Sequence, residues 1–120
     1  MIVQGTLSTY TIRLRSVQND PPEPLIFCYS ADKKLQLWII FQGESEEAGT
    51  ARIDTFPAIP GLVRVLVFFP LSMFGNIHHL LQTEKPITLN ANNNNDFTQV
   101  SFGTASDQLE PIGEEEFRGI

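Results

Sequence analysis

One cysteine, eight basic residues and no apolar stretch of membrane-spanning length set the first limits on this 120-residue chain. Cys28 has no partner for an intrachain disulfide, and it lies in an apolar, strand-like run where a thiol acts as a small hydrophobe. That usage suits a reducing compartment. The opening residues MIVQGTLSTY lack a basic segment followed by an apolar core, so a cytoplasmic location is expected. No apolar run approaches the ~18 residues needed to cross a bilayer, so no membrane association is expected.

Eight Lys and Arg stand against 14 Asp and Glu, a formal charge of −6, and the bases are scattered. Phosphate recognition relies on clustered cations, so nucleic acid is not an expected partner. The motifs of common chemistry are missing too. No GxSxG, P-loop or GxGxxG occurs, and Gly43, Gly49 and Gly61 lack phosphate-cradling spacing. No catalytic residue, metal site or cofactor is expected.

What the chain does have is surplus apolar strand surface. Residues 34–41 (KLQLWIIF) and 62–69 (LVRVLVFF) are apolar on both faces that a strand presents. Leu35, Leu37, Ile39 and Phe41 oppose Trp38 and Ile40, while Val63, Val65, Val67 and Phe69 oppose Leu62, Leu66 and Phe68. A small antiparallel sheet usually keeps one face wet, so the second face must meet a helix, another sheet or another chain. With 42% hydrophobic residues and 120 residues, the chain is long enough to bury a core without disulfides or metals.

Alternation predicts a strand over residues 5–17, with Tyr10, Ile12 and Leu14 inward and Thr11, Arg13 and Arg15 on the wet face. Pro21 and Pro22 break it. Residues 24–30 and 34–42 form the next two strands, a hairpin through Ala31-Asp32-Lys33. A polar loop, 43–49, leads to a strand at 50–56, and Pro60-Gly61 launches the strand that Pro70 stops. Ser72 is placed to cap a helix carrying Phe74, Ile77, Leu80 and Leu81, which Pro86 terminates; Gly75 weakens it. Residues 86–91 and 97–104 make a final hairpin around an Asn-rich tip.

The expected fold is mostly β in the α+β sense: an antiparallel β-sandwich or small barrel of about seven strands, with one helix between the fifth strand and the C-terminal hairpin. Residues 1–106 form the domain. Residues 107–120 are expected to form an acidic tail, extended or disordered, with five acids and one base, −4 of the total charge, leaving −6 + 4 = −2 for the body.

Each chemical candidate has a plainer explanation. His78 and His79 diverge by about 100° on a helix and cannot jointly chelate one ion. The acids of 44–47 and 114–116 lack the alternating ligand offsets that calcium requires. Trp38 divides between core, interface and ligand stacking. Trp38, Ile40, Leu66, Phe68, His78 and His79 are therefore taken as interface or pocket candidates. The expected function is a non-enzymatic, self-associating homo-oligomer whose acidic tail is available to a protein partner. The alternative is a small-molecule binding or hydrolytic domain with an apolar pocket inside a barrel, and Trp38, Tyr29 or a histidine at its mouth.

Overall fold

The computed structural model describes residues 1–16, 18, 22–42, 50–83, 86–94 and 98–104. Within them lie eight strands, β1 (Ile2–Leu7), β2 (Thr9–Arg15), β3 (Glu23–Tyr29), β4 (Leu35–Gln42), β5 (Ala51–Thr55), β6 (Val63–Pro70), β7 (Ile87–Asn93) and β8 (Thr98–Thr104). A 3-10 turn at Leu71–Met73 leads into one helix, α1 (Phe74–Thr83). The expectation of a mostly β chain with one helix between the doubly apolar strand and the last hairpin holds.

Eight strands replace seven because the alternating run at 5–17 is two strands rather than one. It breaks at Ser8, whose amide donates to the Tyr29 carbonyl at 2.8 Å. Upstream, β1 pairs with β7 in a three-stranded antiparallel sheet of order β1-β7-β8; downstream, β2 starts a five-stranded sheet of order β2-β3-β4-β6-β5. The inward parity switches there, from the odd-numbered Val3 and Leu7 of β1 to the even-numbered Tyr10 of β2, so the alternation of Tyr10, Ile12 and Leu14 belongs to β2 alone. Neither sheet closes on itself, which removes the barrel.

The pairing is antiparallel except at the centre. β5 and β6 form an antiparallel pair, and β6 inserts between β5 and β4, so β6 runs parallel to β4 from Leu35 opposite Val63 to Gln42 opposite Pro70. An all-antiparallel sheet was expected, and this is the correction. The two near-continuous apolar runs of this chain are each other's neighbours at the centre of the sheet, where parallel strands of this composition are usual.

One core joins the layers. Val3 and Leu7 of β1 with Ile87, Leu89 and Ala91 of β7 meet Ile26, Cys28, Leu37, Ile39, Phe41, Val65 and Val67 of the larger sheet, and Ile77 and Leu81 of α1 complete the cluster. The helix is amphipathic by spacing: Ile77 and Leu81 are four apart and both buried. Ser72 does not cap it. That residue lies inside the 3-10 turn, whose first residue follows an extended Pro70 with no side-chain cap. Phe74 instead anchors the start of α1 by standing edge-on to Phe41, ring centres 5.2 Å apart.

The three-stranded sheet and one short helix are too narrow to cover five strands. The outermost inward positions of β2 are therefore wet: Ile12 is 42% and Leu14 71% exposed, where the alternation placed them inside. Tyr10 alone of that row packs on the core.

The β3–β4 turn is built as the sequence suggested. Lys33 takes a left-handed conformation, φ 62°. The Asp32 carboxylate accepts from the Lys34 amide at 2.9 Å and from Ser30 Oγ at 2.7 Å. Those two bonds, the amide first, hold the Asp32 carboxyl below its ordinary range. The expected acidic loop at 43–49, residues 95 and 96 of the Asn-rich tip and the tail at 107–120 lie outside the described residues.

Candidate functional site

Alternate residues of the five-stranded sheet point away from the core and make its outer face. Register places Thr11, Phe27, Trp38, Leu66 and Arg52 in one row across β2, β3, β4, β6 and β5. Arg13, Leu25, Ile40 and Phe68 form the row on one side, and Thr9, Tyr29, Gln36, Arg64 and Asp54 the row on the other. Leu66 is 6% exposed yet stands apart from the main core cluster, so its cover comes from its neighbours on this second face. Leu25, Phe27, Trp38, Ile40 and Phe68 are half-buried around it.

Four of the six residues singled out from sequence, Trp38, Ile40, Leu66 and Phe68, are thus brought together. The two histidines are not among them. His78 packs on the core side, 6.1 Å from Tyr10 and 5.6 Å from Phe74 between ring centres, and His79 is exposed. They diverge as helical neighbours must. Among the described residues no group of three His, Cys, Asp or Glu is placed to hold a metal ion.

The charge on this face has one dominant sign. Arg13, Arg15, Arg52 and Arg64 are all of the arginines in the described residues, and all four lie on the outer face, with Glu23 and Asp54 as its carboxylates. Arg15 reaches Glu23 at 3.2 Å and Arg52 reaches Asp54 at 3.1 Å, both exposed pairs that stabilise by at most about 1 kcal/mol. A chain of charge −6 therefore presents a face with an excess of cations. Sequence reasoning missed it because the arginines are far apart along the chain. The available signal was Arg64, which breaks an otherwise apolar strand at the same parity as Leu66 and Phe68.

Arg64 and Trp38 form the centre. The guanidinium carbon lies 3.8 Å from the indole centroid and 4.8 Å from that of Phe56, and Nε donates to Gln36 Oε1 at 3.2 Å. Phe27 packs on the indole with centroids 4.6 Å apart. Such cation–π contacts contribute about 0.5–2 kcal/mol. The indole Nε1 is buried and has no hydrogen-bond partner among the described residues. An unsatisfied buried donor of this kind costs about 1–3 kcal/mol.

Comparison with protein-family models, curated proteins and solved structures returns no match to this chain. The site must be read from its own chemistry.

A second feature lies on the core side. Where the chain passes from β1 to β2, a cleft of about 250 Å³ opens between Leu7, Tyr10, Leu81 and Ile87, with Cys28 at its wall. Trp38 and Tyr29 point to the opposite face of the sheet and cannot stand at its mouth; the nearest histidine is His78, through Tyr10. Burial pushes the Cys28 thiol up to about 12, so it is protonated near neutrality and is not a nucleophile. Cys28 is expected to resist thiol reagents in the native state and to react on unfolding. The raised value also fixes a sign. The unfolded thiol ionises near its ordinary value of 9.0 while the folded one holds its proton to about 12. Stability is thus fully present below pH ~9 and falls as pH rises toward 12. Urea melts at pH 8 and pH 10.5 check this, and Cys28→Ala should remove that part of the decline.

No helix among the described residues is long and apolar enough to cross a membrane.

Proposed function

We propose that this chain is a non-enzymatic interaction module of sandwich type that self-associates through the outer face of its five-stranded sheet. A cytoplasmic location belongs to the same reading. One observation carries it. The three-stranded sheet and α1 both pack on the inner face, so among the described elements none lies over Leu25, Phe27, Trp38, Ile40, Leu66 and Phe68. An apolar patch of this kind rimmed by polar groups is the usual mark of a protein contact site.

Light scattering tests it. The full chain at micromolar concentration is expected to give at least twice its 13.5 kDa mass. Phe68→Asp, half-buried on the outer face, should leave the melting transition in place and reduce the mass to that of one chain. A native chain that stays monomeric throughout overturns the reading. The small-molecule alternative rests on the cleft of about 250 Å³ beside Cys28 and on one of about 390 Å³ between β1 and Leu35 and Val63, of which only the second reaches the roughly 300–1,000 Å³ of ordinary ligand pockets. A thermal shift with a metabolite panel would favour it.

A further inference from the structure

We infer that the occupant of the arginine-flanked face is the acidic segment 107–120 of a second copy, exchanged between the two chains of a pair. This rests on the self-association reading and names the contact that completes it.

Area is the first argument. Five strands at about 4.8 Å spacing, over strands about 25 Å long, give a face of roughly 500 Å². A standard interface buries about 800 Å² of accessible surface on each partner, and a segment laid along this face adds to what the two faces bury. Such a segment must suit the arginines.

Charge supplies the second argument. Residues 107–120 carry Asp107, Glu110, Glu114, Glu115 and Glu116 against Arg118 alone, and they include Phe117 and Ile120 as apolar anchors. A segment of net −4 with an aromatic side chain suits a face of net +2 around an apolar row, where Arg15 and Arg52 are paired with Glu23 and Asp54 while Arg13 and Arg64 have no carboxylate partner among the described residues. It also matches the centre. A carboxylate that draws Arg64 off the indole takes a charge-assisted hydrogen bond from the guanidinium and gives Trp38 Nε1 the acceptor it lacks.

Reach and direction complete the case. Residues 105–120, which follow β8, can span about 50 Å when extended, more than twice the roughly 19 Å across the face. β8 belongs to the sheet on the core side, so the segment leaves from the layer opposite the arginines. Two copies set face to face each supply one face and one segment, and a two-fold arrangement closes the exchange.

The test keeps the full chain and uses its single tryptophan, Trp38, as reporter. The triple substitution E114K, E115K, E116K is expected to weaken association at least tenfold by light scattering, to shift Trp38 emission and to leave the melting temperature unchanged. Adding R13E and R15E to it should restore both mass and emission, which a merely structural effect of either set would not do. If the triple variant associates like the native chain while Phe68→Asp still splits the pair, this inference is overturned and self-association stands. If the native chain is monomeric yet the triple variant shifts Trp38 emission, the segment folds back within one chain, and both the exchange and the self-association reading fail. If a single-stranded oligothymidylate shifts native Trp38 emission at micromolar concentration, the face is a nucleic-acid platform and the inference is likewise overturned.

Discussion

Val65→Asp is expected to yield no folded protein. Val65 is fully buried at the middle of β6, opposite Leu37 of β4 and Ile53 of β5, with Ile39 and Cys28 in the same core cluster. Nothing in that apolar cluster offers a hydrogen bond or a positive charge to a carboxylate; the nearby arginines are on the other side of the same sheet. An ionised carboxylate there costs several kcal/mol even after its pKa rises, against a total stability of about 5–15 kcal/mol. The measurement is soluble expression followed by a circular-dichroism melt. A soluble variant with a normal transition would mean that water reaches the inner face of β6.

The second largest effect is expected from Phe41→Ala. Phe41 is fully buried at the end of β4, edge-on to Phe74 of α1 and 6.5 Å from Phe69 of β6 between ring centres. Phe69 in turn stands 6.1 Å from Phe102 of β8. Removing the ring breaks a chain of aromatic contacts that ties the helix and the smaller sheet to the larger one. The cost is about 3–5 kcal/mol, of which part is the cavity left behind. For a chain of this length that lowers the melting temperature by roughly 10–20 °C in a cooperative transition. A fall of less than about 5 °C would show that α1 and β8 are held by other contacts. The contrast with Phe68→Asp is informative: two positions in adjacent strands, one facing the core and one facing out, separate stability from association.

The local elements were legible in the sequence because they follow from residue spacing. The apolar run at 24–30, the doubly apolar runs at 34–41 and 62–69 and the alternation at 50–56 marked strands β3 to β6, and the Ala31-Asp32-Lys33 turn marked their first hairpin. The spacing of Ile77 and Leu81 marked the helix. The two doubly apolar runs announced strands with both faces occupied, and Trp38, Ile40, Leu66 and Phe68 were singled out for that reason. Spacing says which side chains share a face.

It does not say which faces meet. At Ser8 the core-facing parity switches from Val3 and Leu7 to Tyr10 as the chain changes sheets, and the single strand expected over 5–17 is two. The parallel pairing of β4 and β6 depends on β5 lying outside β6, a non-local choice made by the packing of the whole sheet. Ile12 and Leu14 have the pattern of buried residues and are exposed because the covering layer is three strands wide beneath a sheet of five. Arg13, Arg15, Arg52 and Arg64 are isolated in sequence and gathered only by strand register. By itself the sequence determined the strands, the helix and the existence of a second apolar face. The tertiary structure alone decided that this face is flanked by arginines, because charge summed along a chain carries no record of how register brings distant residues side by side.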